Sequence, residues 1–194
     1  MDIRPITLEG RHVRLEPLSM NHLDGLCALG IDEELWRFTM TIIRNRGDME
    51  RYVESALESQ KQGTALPFAI IERSSVRAIG STRYGNIDVS NKRLEIGWTW
   101  VARQWQRTPV NTECKYLLLK YAFETLRCIR VEFKTDSTNQ QSRSALLRIG
   151  AKEEGIFRSH MITPEGRIRH SVYYSIIDSE WPEVKKRLEE KLKR

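Results

Sequence analysis

Polar and apolar residues alternate from Arg11 to Pro17, which predicts a half-buried first strand. Ser19 or Asn21 then stands as a cap before Leu23, Leu26, Cys27 and Ile31, whose spacing is helical. A short helical turn is expected over Glu33 to Phe38. Asp48 reads as the N-cap of a helix running to about Gln62, with Met49, Tyr52, Val53, Ala56 and Leu57 as its stripe and Gly63 as its stop. Ala65 to Ile71 is an unbroken apolar run and predicts a strand buried on both faces. Val76 to Ile87 predicts the next, with Gly80 and Gly85 as possible bulges. Arg93 to Val101 completes a meander. Strict alternation would put Leu94, Ile96, Trp98 and Trp100 on one face and Glu95, Gly97, Thr99 and Val101 on the other.

A polar turn, Trp105 to Thr112, leads into a helix expected over Glu113 to Leu126, with Tyr116, Leu117, Leu119, Lys120, Phe123 and Leu126 on a broad face. Arg130 to Thr135 alternates as a strand. Asn139 begins a shorter helix through Ala145, Leu146 and Ile149, ended by Gly150. A hairpin follows, from about Glu154 to Ile162 and Ile168 to Ile177, around the turn Thr163-Pro164-Glu165-Gly166. The last helix carries Trp181, Val184, Leu188 and Leu192. The order predicts one mixed α/β domain, residues 1–194, with about seven strands. At its centre a strand feeds through a turn into a helix, whose first N–H groups and positive dipole end form a site for an anion such as a pyrophosphate.

Composition changes this picture little. The 194 residues are 40% hydrophobic, enough for a single core, and 30% charged. The net charge of +6 is spread among acidic residues, which suits a solvated surface or an anionic cofactor better than a nucleic-acid face. Three cysteines without a C-x-x-C, an N-terminus without an apolar core, and no apolar run near ~18 residues give the expectation of a reduced, cytoplasmic, non-membrane protein. The four histidines lack metal-ligand spacing, so no metal is expected, and Cys114 reads as a small core residue.

The whole order resembles the Gcn5-related N-acetyltransferase (GNAT) superfamily, in particular its branch of ribosomal-protein N-terminal acetyltransferases. The residues that carry the resemblance are Glu95-Ile96-Gly97-Trp98, Thr112-Glu113 with Ala122-Phe123-Glu124, Asn139-Gln140-Gln141-Ser142-Arg143 with Gly150, and Glu154-Gly155-Ile156-Phe157-Arg158. The resemblance implies a mostly antiparallel sheet flanked by helices, with acetyl-CoA as co-substrate and an amine as acceptor, whether a protein N-terminus or a small molecule. It implies a sheet that splays beside Trp98, Thr99 and Trp100, whose backbone would hold the pantetheine. It places the pyrophosphate on Gln106, Arg107, Thr108, Val110, Asn111 and Thr112. The family's loop is glycine-rich, whereas here Arg107 and Pro109 stand where glycines are usual and Asn111 where a small residue is. Arg107 and the hydroxyls of Thr108 and Thr112 are the replacement donors expected.

The same resemblance makes Glu95 the base that takes the ammonium proton, although Glu95 also reads as a cross-strand partner for Arg83. Many members carry a tyrosine acid seven residues after the asparagine; Leu146 stands there. Ser142 is the remaining donor to the sulfur and Asn139 a pantetheine contact, and both equally suit a helix start. Trp36 and Tyr84 fall where the fold lines its acceptor cleft. The rival reading is a non-catalytic acyl-CoA-binding protein of the same fold. Homodimerisation through a sheet edge or the last hairpin is the expected form of any assembly.

Overall fold

The computed structural model describes residues 1–193. The elements are β1 (Leu8–Glu9), β2 (Val13–Pro17), α1 (Leu23–Gly30), α2 (Glu33–Trp36), α3 (Arg46–Lys61), β3 (Leu66–Glu72), β4 (Arg77–Asp88) and β5 (Arg93–Val101) in the first half. The second half adds α4 (Pro109–Lys120), β6 (Arg130–Asp136), α5 (Gln140–Ile149), β7 (Lys152–Ile162), β8 (Ile168–Ile177) and α6 (Trp181–Leu192). The strands form one sheet in the order β1-β2-β3-β4-β5-β6-β8-β7. All neighbours are antiparallel except β5 and β6. The eighth strand, beyond the expected seven, is the two-residue β1 on the edge.

Helices cover both faces of the sheet. Leu66, Phe68 and Ile70 of β3 join the core cluster that includes Leu117, Leu118 and Leu188, beneath α4 and α6. Ala69 and Ile71 join the other cluster, with Leu26, Met49 and Val53 of α1 and α3. A strand buried on both sides has no polar face to show, which is why residues 65–71 read as a continuous apolar run. The central helix starts earlier than its hydrophobic stripe suggested, because Thr108 rather than a later residue caps it and Pro109 opens the first turn. A π turn, Tyr121–Thr125, carries it onward. Likewise α3 is capped by Asn45, whose side chain accepts from the N–H of Asp48. Asp48 in turn accepts from the N–H of Arg44.

Glu113 ties the two halves of the chain together. It is buried in α4, and its carboxylate accepts the N–H groups of Arg11, His12 and Val13 at 2.8, 2.7 and 2.8 Å. The entry to β2 is thereby fixed against the helix of the central turn. Gly10 is required beside it, since a Cβ there would lie 2.5 Å from the Glu113 carboxyl. Removing the carboxylate strands three backbone donors, so Glu113→Ala is expected to lose about 3 kcal/mol or more of stability. Glu113→Gln, which keeps an acceptor, should lose less. Denaturant unfolding of the two variants checks the order, and an unchanged Glu113→Ala midpoint would show that the clasp contributes nothing to stability.

Candidate active site

The site begins with a flaw in sheet pairing. Across β4 and β5, Ser81 pairs with Trp100 and Arg83 with Gly97, so Trp98 and Thr99 together face Thr82. This is a β-bulge, with Trp98 at φ 50°. One extra residue reverses the alternation beyond it. Leu94 and Ile96 therefore point into the α4 side of the core and Trp100 into the α1–α3 side, which corrects the single face expected from strict alternation. The Trp98 ring lies on Gly85, where a Cβ would come within 2.3 Å of it.

The second feature is a parting of strands. β5 and β6 pair at Arg93↔Arg130, Leu94↔Val131 and Glu95↔Glu132, and pair no further. Ile96 to Val101 and Phe133 to Asp136 form the walls of a wedge. The backbone groups that β5 turns toward it lack a strand partner there and can bond an extended ligand. That is the splay expected beside Trp98, Thr99 and Trp100. The Trp100 side chain is itself buried, so only its backbone faces the wedge.

Glu95 lies at the root of the wedge, 3% exposed. Its Oε2 accepts from Asn86 Nδ2 at 2.7 Å and lies 3.6 Å from Lys134 Nζ. Gly97 leaves it room, since a Cβ at 97 would stand 2.8 Å from Oε1. Burial pushes the carboxyl's pKa above its ordinary value, against the opposing pull of Lys134 and Asn86. Arg83 is not its partner. The Arg83 guanidinium sits over the rings of Tyr52 and Trp98, 5.2 and 5.1 Å from their centroids. The partner is Lys134, which the parallel β5–β6 pairing brings to the same face.

At the mouth of the wedge, Arg107 takes φ 59°, the left-handed region that explains why glycine is usual there. Its side chain is exposed and joins no ion pair among the described residues. Gln106 spans the gap. Its Nε2 donates to the Val101 carbonyl at 3.0 Å, and its Oε1 accepts from Gln141 of α5 at 3.0 Å. The Thr108 hydroxyl is committed: it donates to the Trp105 carbonyl at 2.6 Å and accepts from the Val110 N–H at 3.3 Å. Val110 and Thr112 are buried, so neither side chain reaches a surface anion. Of the three donors expected to replace the glycines, the Arg107 side chain is the one left available, and the backbone near half-buried Asn111 stands beside it.

On α5, Asn139 caps the helix by accepting from the Ser142 N–H at 3.0 Å. The Ser142 side chain is half-buried in the first turn, and Leu146 is buried in the core. Between these elements lies a residue that sequence reasoning missed. Lys115 of α4 is 6% exposed. Its Nζ donates to Thr99 Oγ1 at 2.9 Å and stands 5.9 Å from the Phe133 ring, so it bridges the two walls of the wedge from below. Thr99 Oγ1 also meets Thr82 Oγ1 at 2.7 Å. The available signal was position, because Lys115 falls between Cys114 and Tyr116 on a helix apolar around most of its circumference.

The two expected acceptor-cleft aromatics lie outside the cleft. Tyr84 is fully buried on the opposite, α4 side, with its hydroxyl donating to the Leu118 carbonyl at 2.6 Å, so it is removed from the acceptor cleft. Trp36 packs on Tyr52 and Trp100 and donates its indole N–H to the Gly30 carbonyl at 2.7 Å, which makes it a support behind the cleft. The open groove, about 990 Å³, runs instead past Asn86, Asp88, Arg93, Arg130, Phe157 and Tyr173. Cys114 is buried and its thiol is pushed up to about 12, as befits a core residue.

A parallel pair that parts beside a helix N-terminus, with a buried carboxylate at its root, defines an acyl-transfer fold. The chain belongs to the GNAT acetyltransferase family, whose domain model matches residues 12–152. A GCN5-related N-acetyltransferase from Brucella melitensis superposes with a TM-score of 0.90 at 33% identity, covering 96% of this chain and 85% of that one. YdaF of Bacillus subtilis (strain 168), provisionally named a ribosomal N-acetyltransferase, is 35% identical over 96 residues, which is 50% of this chain and 51% of that protein. The likeness thus spans about half of that relative's length. RimJ of Mycobacterium smegmatis, solved in complex with CoA-disulfide, shares the fold at a TM-score of 0.80 and 20% identity, over 95% of this chain and 93% of that one. No described helix is long and apolar enough to cross a membrane.

Burial drives the Lys115 pKa down from the ordinary lysine range to about 8. Between about pH 8 and the ordinary lysine range near 10.4 the unfolded chain holds a proton that the folded chain has shed, so this residue makes stability rise with pH across that window. Lys115→Met should abolish that rise. Urea titrations at pH 7.5, 9 and 10 test it, and an unchanged pH slope in the variant would show that Lys115 is charged throughout.

Proposed function

We propose that the protein is an acetyl-CoA-dependent N-acetyltransferase that acylates a primary amine by direct attack. The observation that carries this reading is Glu95, a buried carboxylate of raised pKa at the root of the wedge and beside the open groove. Acetyl-CoA supplies the activated thioester. The residues present fit it: Arg107 and the start of α4 for the pyrophosphate, the unpaired edge of β5 from Trp98 to Val101 for the pantetheine, and the Asn139 side chain beside it. Glu95 accepts the proton of the incoming ammonium, directly or through water. Its raised pKa makes it a stronger base than an exposed carboxylate, and Lys134 keeps enough of it ionised to act. The Ser142 hydroxyl, without a hydrogen-bond partner among the described residues, stands ready to donate to the departing sulfur. The acceptor is a small amine or a peptide N-terminus, reached through the groove between the β4–β5 turn and the β7–β8 hairpin.

The specific observation behind a second reading, a non-catalytic acyl-CoA-binding protein, is the lost tyrosine acid at Leu146. Calorimetric titration with acetyl-CoA, followed by a free-thiol assay with a pool of amines and peptides, separates the two. Binding with amine-dependent thiol release supports the enzyme. Binding without release supports the second reading, and no binding rejects both.

Glu95→Gln should lower turnover by roughly 100-fold while leaving acetyl-CoA affinity within about twofold. In the wild type, kcat/KM should fall as pH drops through the raised Glu95 pKa. Lys134→Met removes the charge that holds that pKa down, so its acidic limb should move to higher pH. An unmoved limb would take Glu95 out of the base role.

A further inference from the structure

Between the pairs Gly85↔Glu95 and Asp88↔Arg93, β4 holds one residue more than β5. Tyr84 and Ile87 both pack into the cluster beneath α4, although regular alternation would send residues three apart to opposite faces. Asn86 is therefore the bulged residue. Its φ of 47° lies in the left-handed region, which asparagine tolerates better than most side chains. The bulge turns Asn86 away from the α4 side and onto the face of Glu95. Bulges of this kind re-aim single side chains beside active sites.

Asn86 is exposed and lines the open groove, while its Nδ2 reaches inward to Glu95 Oε2 at 2.7 Å. An ionised carboxylate only accepts, so the amide must present its nitrogen inward. Its Oδ1 has no hydrogen-bond partner among the described residues. Glu95 Oε1 likewise takes no hydrogen bond among them, yet it is not one of the sealed polar atoms that lack a partner. It thus keeps an opening, beside half-buried Gly97. Elsewhere along the groove the charges answer one another: Arg93 with Asp88 and Glu132, Arg130 with Glu132 and Glu154. An ammonium with three N–H donors meets two vacant oxygens, on two side chains already bonded to each other.

We infer that Asn86 binds the amine of the acceptor, its Oδ1 accepting one amine N–H while its Nδ2 holds the Glu95 carboxylate in place for the proton transfer. This rests on the acetyltransferase reading with Glu95 as base. One N–H of the ammonium gives its proton to Glu95. A second is held by Asn86, which aims the freed lone pair at the thioester carbon. The N–C bond forms as the C–S bond breaks, the second surplus proton ends on the CoA sulfur, and Glu95 returns its own to water.

Asn86→Gly tests this while sparing the fold, since glycine takes a positive φ at least as readily as asparagine. The variant's kcat/KM for the amine should fall by roughly 10- to 100-fold, with the KM for acetyl-CoA unchanged. The Asn86 amide favours the ionised form of Glu95, so its loss should also move the acidic limb of the pH profile upward. The other charged and titratable groups facing Glu95 stay in place: Lys134 and Glu132 on β6, Lys115 on α4, Arg169 and Tyr173 on β8. A moved limb therefore reports the missing amide. Both changes are required, and either one alone overturns the proposal. Unchanged turnover by Glu95→Gln would strike the base reading, and absence of thiol release from every amine the acetyltransferase reading. The amine contact is then decided by nuclear magnetic resonance with CoA present. The side-chain amide signal of Asn86, identified by its loss in Asn86→Gly, should shift with methylammonium chloride and stay still with the same concentration of tetramethylammonium chloride, which has no N–H. Equal shifts, or none, reject the contact.

Discussion

The parting of β5 from β6 is the constraint on which the rest of the site depends. Parallel strands normally gain by pairing along their length, and here they stop after three residue pairs in the middle of the sheet. Something must hold them apart and something must occupy the gap. The Trp98 bulge bends β5 away, and Gly85 on β4 makes the space that its ring needs. From below, Lys115 stands between Thr99 on one wall and Phe133 on the other. Burying a lysine there is unfavourable on its own, so the wedge keeps a polar floor at a cost in stability that a fully closed sheet would avoid. The helix that delivers Lys115 is itself anchored by Glu113 to the start of β2, which connects the gap in the centre to the far edge of the sheet.

Glu95 owes its chemistry to the same constraint. It belongs to the last pair before the strands part, so it is desolvated by the sheet yet adjacent to open space. Burial raises its pKa, and Lys134, two residues along β6, resists. A carboxylate in that balance holds a proton more tightly than a surface glutamate but ionises more readily than one sealed in apolar surroundings. Lys115 and Lys134 thus place positive charge on both sides of the wedge, and Arg83 adds more over the Tyr52 and Trp98 rings.

Where chain-local physics decided the structure, the sequence was legible. The meander, the Asn139 cap, the Gly150 stop with φ 97°, and the Thr163–Gly166 turn all follow from neighbours in the chain. The β5 and β8 spans were read residue for residue. What escaped was set by partners distant in sequence. The Trp98 bulge needs Gly85 on another strand. The burial of Lys115 depends on walls supplied by β5 and β6. The resemblance put Tyr84 at the acceptor cleft, and nothing local to the chain says which face of a doubly covered strand it occupies. The family resemblance located Glu95, Asn139 and Ser142 in the chain, and the structure then supplied their neighbours.

The glycine-free turn shows how one requirement can be met by other means. The chain still needs a left-handed residue before α4, and Arg107 adopts it at φ 59° at a cost on the order of 1 kcal/mol relative to glycine. Such a conformation persists only where its surroundings enforce it. Here the Thr108 hydroxyl grips the Trp105 carbonyl on one side, Gln106 grips the Val101 carbonyl on the other, and Pro109 presets the first helical residue. The turn is therefore rigid where glycines would have left it supple. In place of close backbone approach it offers an exposed guanidinium at the positive end of a twelve-residue helix, two sources of positive potential pointing at one place. An anion bound there gives up some contacts to backbone N–H groups and gains a charged fork. In the proposed function the trade keeps the location of the cradle while changing which atoms do the holding.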